Sequence, residues 1–424
     1  MTEAQADSMI QKGLILLKQN RYNEAAQIFQ DILGQNPHNP YALNLLATCQ
    51  YHLPGQRSKA LETIQQALHL EPDDPSHYEM QALILTDLDR HNQAMQAIQK
   101  ALGLDPDSCF GHAVRSYIFI KQEQWPHAEQ AARKALSLNA DDLFAGNLLA
   151  TALRMQNKLD ESQTLIFDTL AKEPEDALSH SNCGWVYLQR KDYSKALVHF
   201  REALRLDPML ETARIGMLET FKSKSLFYRF YLNYSFFMAQ QTKAVRILII
   251  MSLLVVFRLL RNWLRFSFEG RLAPLAIVVG LLYLFFFFWT WLSGGLGNFI
   301  ILNDRFARYA LNREEKLEAV LVGGSVVLGI VILAFAFVVT VNPLLILGGT
   351  LILAAIPWTC IFNNQNKTGR IFYGSLAILF WILGLVGTIG GWIFGLAKMT
   401  SLFGIMILLF ALCTWLGAFG FLRK

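Results

Sequence analysis

Two hydrophobic patterns divide this chain of 424 residues. As far as about residue 209, apolar residues recur three and four positions apart, the spacing that places them on one face of an amphipathic helix. Beyond about residue 244, apolar residues instead run for about 20 positions at a time with few interruptions. The patterns predict an all-α chain in which an array of soluble helices precedes helices that are apolar on every side.

The first pattern repeats at a fixed step of about 34 residues. Small residues such as Gly184 and Ala196 fall where two helices of a unit would face each other, and Ala140 stands where the period calls for another proline. One extra residue near Gly55 accounts for a single step of 35. A constant period of this length indicates a solenoid of stacked helical hairpins. The prolines that mark the step are Pro37, Pro72, Pro106, Pro174 and Pro208.

The sixth unit resembles the tetratricopeptide repeat most closely. Its motif positions are Gly184, Tyr187, Tyr193, Ala196, Phe200, Ala203 and Pro208. Six units of this kind cover residues 6–208, and a helix from Leu210 to about Lys222 is expected to cap the last one. The resemblance implies an α-α superhelical solenoid over residues 1–222 that binds other proteins.

In that family the first helix of each pair lines a concave groove that binds extended or helical peptides. Aromatic side chains among short polar groups suit peptide recognition, because rings bury a large area at a small entropic cost. Packing of Tyr117 and Trp185 against neighbouring helices is the alternative. A basic clamp for a terminal carboxylate is absent, so a chaperone-tail receptor is not expected. Carried over to this sequence, the groove positions are Asn44, Thr48, Tyr51, Glu79, Leu83, Thr86, Ala113, Tyr117, Ile120, Asn147, Thr151, Arg154, Ser181, Trp185 and Gln189.

The second half predicts a polytopic bundle of transmembrane helices over residues 244–424. Five apolar runs lack Asp, Glu, Arg and Lys and are long enough to cross a bilayer. A sixth run, Ala244–Trp263, either spans or lies in the interface, since Arg246 and Arg258 are only about 17 Å apart along a helix. Residues 223–243, rich in aromatic and basic residues, predict an interfacial linker or an extended capping helix. The five clear runs are Leu272–Leu292, Ala319–Val341, Leu344–Phe362, Ile371–Ala397 and Ser401–Leu422.

Charge separates the two halves in the same way. Residues 1–209 hold 19 Lys and Arg against 26 Asp and Glu, whereas residues 210–424 hold 19 against 7. Positive charge beside apolar runs is typical of membrane flanks and does not indicate nucleic acid binding. With six spans and a cytoplasmic N-terminus, 13 Lys and Arg fall inside and 5 outside, whereas five spans give 10 and 8. We therefore expect a multipass membrane protein with cytoplasmic repeats, most simply in a bacterial inner membrane.

Catalytic and metal-binding patterns are missing from the sequence. The five cysteines lack CxxC spacing, the nine histidines lack metal spacing, and no phosphate loop or nucleophile motif occurs. The sequence thus predicts no enzyme, no cofactor and no metal. Gly387, Gly391 and Gly395 form a strip that favours close helix packing, either inside the bundle or in a homo-oligomer.

Two functional hypotheses remain from the sequence. The first is a membrane-anchored scaffold whose repeats recruit or assemble partner proteins at the lipid bilayer. The second is a pore, an uncoupled transporter or a lipid-handling bundle that the repeats regulate. Neutral helices disfavour the ion-coupled versions of the second hypothesis, because such carriers usually place ionisable groups inside the bilayer.

Overall fold

A computed structural model describes residues 3–266, 291–305, 307–339, 343–362 and 366–395, together with the single positions 275, 364 and 409. All regular elements among these residues are helices. Contacts divide the chain into two compact units. The repeat unit is Met1–Arg190 with Glu202–Leu210, and the membrane unit is Lys191–Arg201 with Glu211–Lys424.

Twelve helices follow one another as six pairs, which confirms the predicted helical repeats. The first helix of each later pair has 13 residues and the second has 14. The pairs are α1 (Glu3–Lys18) and α2 (Tyr22–Gln35), α3 (Pro40–His52) and α4 (Arg57–Leu70), α5 (Pro75–Asp87) and α6 (His91–Leu104), α7 (Cys109–Lys121) and α8 (Trp125–Leu138), α9 (Leu143–Met155) and α10 (Leu159–Lys172), and α11 (Ala177–Gln189) and α12 (Tyr193–Leu206).

Each turn within a pair contains one residue with a positive φ. In five pairs this residue is Asn20, Asp89, Glu123, Asn157 or Lys191, whose φ values lie between 57° and 66°. In the second pair it is Gly55, at φ 74°, within a turn that is one residue longer than the others. Glycine adopts this backbone region without the steric cost that a side chain brings. The predicted extra residue is therefore confirmed and lies in that turn.

The turns between pairs end in a polar residue that caps the next helix. The side chains of Asn39, Ser108 and Asp142 accept hydrogen bonds from backbone N–H groups of Ala42 at 2.9 Å, Gly111 at 2.9 Å and Ala145 at 2.7 Å. Asp74 and Asp176 do the same for α5 and α11. A cap of this kind stabilises a helix by about 1 kcal/mol, so each repeat restarts its first helix at a defined residue.

Small residues let the two helices of a pair approach closely, as predicted. The Ser116 hydroxyl donates to the carbonyl oxygen of Ala128 at 2.8 Å, and the Ser162 hydroxyl donates to that of Ala150 at 2.9 Å. Hydroxyl groups reach the facing backbone only where no larger side chain intervenes. The pairs thus bury alanine and serine at the crossing and larger apolar side chains on either side.

Three helices of the membrane unit follow the repeats. They are α13 (Glu211–Lys222), α14 (Leu226–Gln240) and α15 (Lys243–Phe266). The segment from Leu210 to about Lys222, expected to cap the repeats, contains α13. The segment 223–243 is largely the helix α14, and the run Ala244–Trp263 lies inside α15. The five cations of α15 are Lys243, Arg246, Arg258, Arg261 and Arg265.

Three further helices are long and apolar enough to cross a membrane: Arg313–Val339, Pro343–Phe362 and Lys367–Phe394. They confirm three of the five clear runs as continuous helices. Of the other two, Ser401–Leu422 and nearly all of Leu272–Leu292 lie outside the described residues. A shorter apolar helix, Trp291–Leu302, precedes the three.

The helix Arg313–Val339 starts earlier than the apolar run that predicts it. Asn312 and Glu315 form a capping box, with the Asn312 side chain accepting from the Glu315 amide and the Glu315 carboxylate accepting from the Asn312 amide, both at 2.8 Å. The first turns therefore carry Glu314, Glu315 and Glu318, and a π-helical turn at Ala319–Gly323 follows.

Two glycines face each other between the long apolar helices Arg313–Val339 and Pro343–Phe362. A Cβ atom on Gly329 would lie 2.8 Å from the carbonyl oxygen of Gly348, and one on Gly348 would lie 2.9 Å from that of Gly329. In Lys367–Phe394, Gly387 and Gly391 are buried, whereas Gly395 is exposed and ends the helix at φ 81°. Only two members of the predicted glycine strip thus lie within a packed helix.

Ion pairs join the polar segments of the membrane unit. The Arg214 guanidinium of α13 donates two hydrogen bonds to the Glu315 carboxylate in a bidentate contact, at 2.8 and 2.9 Å. The ammonium of Lys224 lies 2.7 Å from the Asp304 carboxylate, and Arg370 lies 2.8 Å from Glu314. Two-pronged guanidinium–carboxylate contacts fix orientation as well as distance. The segment after Leu302 is therefore held by both α13 and the start of Lys367–Phe394.

Candidate functional site

The predicted groove residues lie on a series of neighbouring helices. The first helices of successive pairs contact one another in chain order, from α3 through α5, α7 and α9 to α11. We call the surface that they form the groove face. Because the same helical positions recur in each pair, side chains spaced about 34 residues apart meet there.

Tyr51 and Tyr117 converge on one carboxylate, Asp87, the last residue of α5. Their hydroxyls donate to its two oxygens at 3.0 and 2.5 Å. Arg57 and Lys121 approach the same carboxylate to 3.3 and 3.4 Å, and the Asp87 side chain is only 7% exposed. Burial, and then the Asp87 charge, raise the pKa of both phenols, so both remain proton donors at neutral pH.

Asn147 connects the fifth and sixth repeats. Its amide nitrogen donates to the Asp176 carboxylate at 2.8 Å, and its oxygen accepts from Ser179 at 3.2 Å and from Asn182 at 2.9 Å. The Thr151 hydroxyl donates to the Asn147 carbonyl oxygen at 2.9 Å and lies 3.2 Å from the Asn182 side-chain oxygen. Both predicted groove residues thus bond the next repeat.

Asn44 occupies the matching position three repeats earlier with different partners. Its amide nitrogen lies 3.2 Å from the Ser76 hydroxyl and 2.8 Å from His77 Nδ1. The Thr48 hydroxyl reaches back to the Asn44 carbonyl oxygen at 3.0 Å. Asn44, predicted to line the groove, thus bonds the next repeat.

Glu79 is buried between the third and fourth repeats, with 7% of its surface exposed. Its carboxylate accepts a short hydrogen bond from the Ser108 hydroxyl. Burial raises the pKa of Glu79, and the hydrogen bond from Ser108 partly opposes that shift. Leu83 and Thr86 lie further along α5 and are also buried.

Arg154 is the cation among the predicted groove residues. Its guanidinium carbon lies 5.4 Å from the centre of the Trp185 ring, a cation–π contact. Its Nε atom is buried without a hydrogen-bond partner, and burial lowers the pKa of Arg154 to about 10. The Oε1 atom of Gln189 is likewise buried and unbonded. This end of the groove face therefore has an unused donor and an unused acceptor close to an indole ring.

The structure divides the predicted set into three groups. Tyr51 and Tyr117 meet at Asp87, Asn147 and Thr151 meet at Asn182, and Arg154 meets Trp185. Ala113 and Ser181 are buried, and Ile120 packs against an apolar cluster, so these three belong to the core. Asp87 and Asn182 were not among the residues predicted from the sequence to line the groove. The available signal for Asp87 was that it is the only carboxylate among the last residues of these first helices, His52, Asp87, Lys121, Met155 and Gln189.

Family models of the tetratricopeptide repeat match residues 16–84, 78–108 and 177–210. This chain is a tetratricopeptide repeat protein. The three matches cover the first three repeats and the sixth, and the same helical geometry continues through the two repeats between them.

Solved structures of low sequence identity resemble the tetratricopeptide part of the chain. The Cut9–Hcn1 hetero-tetramer of the APC/C has a TM-score of 0.44 and 18% identity, covering 51% of this chain and 42% of that one. TTC0263, a thermophilic TPR protein of Thermus thermophilus, has a TM-score of 0.40 and 18% identity, covering 43% of this chain and 98% of that one. PilW, a widely conserved type IV pilus biogenesis factor, has a TM-score of 0.41 and 19% identity, covering 51% of this chain and 99% of that one. The chain thus spans less than half the length of the first of these, and no curated protein matches it in sequence.

A second polar site lies within the membrane unit of this tetratricopeptide repeat protein. The buried Glu318 carboxylate accepts a hydrogen bond from the Asn298 amide at 2.8 Å. Lys222 is also buried, 3.0 Å from the Glu219 carboxylate, which in turn accepts from the Tyr228 hydroxyl at 2.7 Å. Glu219, Lys222, Asn298 and Glu318 border a cavity of about 440 Å³. The apolar runs did not reveal it, because its charged residues lie just before them.

Proposed function

We propose that this protein is a membrane-anchored scaffold whose tetratricopeptide repeats recruit partner proteins to the lipid bilayer. The groove face binds an extended segment of the partner, and Arg154 pairs with an acidic side chain of that segment. The single observation that carries the proposal is the buried, unbonded Nε of Arg154 beside Trp185.

Charge complementarity selects the partner. A guanidinium that is partly buried without a carboxylate is costly, because desolvation is not offset by an ion pair. An acidic side chain that reaches it gains a charge-assisted hydrogen bond in a place where water is scarce. The indole of Trp185 supplies the adjoining apolar surface that peptide anchors commonly use. An acidic residue followed by an apolar one is therefore the expected core of the bound segment.

Membrane attachment rests on the apolar helices of the second unit. Three of them have the length and composition of membrane spans. The Glu314–Arg370 ion pair supports a topology in which the segment before Arg313–Val339 and the segment before Lys367–Phe394 share one side of the bilayer. Both segments fall on the cytoplasmic side in the six-span arrangement that the Lys and Arg distribution favours. The proposal places the repeats on the same cytoplasmic side of a bacterial inner membrane.

A displayed library of random peptides tests the groove. The full chain, purified in detergent, would select peptides with Asp or Glu at one fixed position, and Arg154→Gln would weaken their binding at least tenfold. Arg115→Gln removes an exposed cation of α7 and serves as the matched control, with unchanged binding expected. Selection of peptides without a fixed acidic residue, or equal binding by Arg154→Gln, would reject the proposed mode of recognition.

The cavity beside Glu318 favours a second candidate function, passage of a polar solute or a lipid headgroup through the membrane unit. Lys222, Glu219 and Glu318 give it fixed charges that the apolar runs lack. The experiment is flux and lipid scrambling in liposomes containing the full chain, with Glu318→Gln for comparison. A rate above that of empty liposomes that falls in Glu318→Gln would support this function, and equality with empty liposomes would exclude it.

A further inference from the structure

The third repeat carries a histidine where the other repeats carry small residues. The third position of the first helix is Ala42 in α3, Gly111 in α7, Ala145 in α9 and Ser179 in α11. In α5 it is His77, whose side chain is 1% exposed. His77 is therefore buried at a position where neighbouring repeats place much smaller side chains. An imidazole at this crowded position therefore calls for a specific explanation.

The two ring nitrogens of His77 have different surroundings. Nδ1 lies 2.8 Å from the amide nitrogen of Asn44. Nε2 is buried without a hydrogen-bond partner and faces two carboxylates, 3.9 Å from Glu71 Oε2 and 3.8 Å from Asp74 Oδ2. One ligand atom from each of these three residues lies within 4.8 Å of the other two.

We propose that His77, Glu71 and Asp74 bind one divalent transition-metal ion, with Zn²⁺ as the probe that suits them. One imidazole and two carboxylates are donors that Zn²⁺ accepts, at about 2.0–2.2 Å from the metal. Ligand atoms of a tetrahedral site are then about 3.4 Å apart. The observed separations of 3.8 and 3.9 Å need only a small rotation of each carboxylate. Water completes the coordination.

Both carboxylates are placed to serve as ligands. Asp74 caps α5 through Oδ1, which accepts from the Ser76 amide at 2.8 Å, so Oδ2 remains directed at the histidine. Glu71 follows the last residue of α4, and its side chain is 54% exposed, which leaves it free to turn toward the metal. The ion would therefore join the end of α4 to the beginning of α5.

Asn44 is the outer-shell residue of this site. A metal on Nε2 requires the proton of the neutral imidazole on Nδ1, which must then donate to an acceptor. The amide oxygen of Asn44 can fill that role after the amide rotates by a half turn, because oxygen and nitrogen occupy equivalent places in the group. A neutral His77 can bind the metal without releasing a proton, whereas a protonated His77 must first lose the proton on Nε2. Binding is accordingly expected to weaken in mildly acidic solution.

Other repeats supply natural replacements for each ligand. Ala42 and Ala145 occupy the position of His77, Asn36 and Asn139 that of Glu71, and Asn39 that of Asp74. The variants His77→Ala, Glu71→Asn and Asp74→Asn thus introduce residues that this helical geometry already accepts. His112→Ala is the matched control, because His112 is also buried but its Nε2 lies 3.0 Å from the carbonyl oxygen of Pro106.

Isothermal titration of the full chain in detergent with ZnCl₂ tests the site. We expect one ion per chain with micromolar affinity, at least tenfold weaker binding in His77→Ala and in Asp74→Asn, and no change in His112→Ala. X-ray absorption of the zinc-loaded chain should show nitrogen and oxygen neighbours only. Absence of Zn²⁺ binding would rule out the site, and so would sulfur among the ligands. Zn²⁺ binding by His77→Ala and Asp74→Asn that equals binding by the native chain would also rule it out. If His77→Ala does not fold, Glu71→Asn and Asp74→Asn decide the question.

Discussion

Glycines lie at close helix contacts in both the repeat unit and the membrane unit, and one contact from each unit shows that the facing group can differ. In the repeat unit the space beside Gly13 is filled by a ring, since a Cβ on that glycine would lie 2.5 Å from Phe29 Cζ. In the membrane unit the backbones of Gly329 and Gly348 face each other directly. Burial of a ring stabilises a protein in water, whereas lipid offers no such gain and helices associate by close backbone packing.

The first way to sharpen this comparison is to remove the ring. Phe29→Ala empties a fully buried position, and we expect the free energy of unfolding of the first repeats to fall by about 3–5 kcal/mol. Native-state hydrogen exchange of α1, α2 and α3 in the full chain measures it. Phe167→Ala, at a site that is 43% exposed, should have little effect. A small loss for Phe29→Ala would mean that ring burial does not hold the repeat.

The second test applies to the membrane unit. Gly348→Ala places a methyl group against the Gly329 carbonyl and Leu333, so we expect destabilisation by about 1–3 kcal/mol and a lower melting temperature in detergent. Gly349→Ala is the neighbouring control, since a Cβ there has nothing within 4 Å. Equal melting temperatures for the two variants would contradict backbone-to-backbone packing.

The two units also differ in how they satisfy buried carboxylates. Asp87 in the repeat unit accepts from two tyrosine hydroxyls, whereas Glu318 in the membrane unit accepts from one asparagine amide. Tyr117→Phe removes one of the two hydroxyls. The expected loss of stability is about 1.5 kcal/mol, the usual contribution of a hydrogen bond to a charged group. Hydrogen exchange of α5 and α7 measures it, and Tyr41→Phe, at an exposed tyrosine, should leave stability unchanged.

The smallest expected effect concerns pH. Because the pKa of Glu79 is raised in the folded protein, there is a pH range above the unfolded pKa in which the folded state holds a proton that the unfolded state has released. The stability contributed by the protonated Glu79 carboxyl therefore declines as pH rises above the ordinary glutamate pKa of 4.5. Glu79→Gln, which keeps an acceptor for Ser108, should be more stable than the native chain at pH 7 and equal to it below pH 4. Thermal melts across pH 4–8 test this, and a constant difference would contradict the pKa shift.

Sequence regularity accounts for most of the fold. The 34-residue step, the facing small residues and the extra residue at Gly55 depend on local spacing, and the structure confirms each of them. The ion pair between Arg214 and Glu315 joins residues about 100 positions apart, and no local pattern could indicate it.

The groove was predictable only as a set of positions. The period places Tyr51, Tyr117 and Arg154 on first helices, but it says nothing about which of them is already bonded. Tyr51 and Tyr117 share Asp87, whereas Arg154 faces an indole without a carboxylate in the part of the chain that the structure describes. That difference depends on three-dimensional contacts between repeats, and it separates tyrosines that are bonded to Asp87 from an arginine whose buried Nε has no hydrogen-bond partner.

Photo-crosslinking in native membranes tests the scaffold most directly. A photoreactive amino acid at position 189 of the full chain, beside Arg154 and Trp185, should crosslink to a partner protein at a segment that contains Asp or Glu. Arg154→Gln should abolish that crosslink, and Arg115→Gln should preserve it. Crosslinks to lipid alone, or to a protein whose yield does not change in Arg154→Gln, would contradict recruitment of an acidic segment to the groove at the membrane.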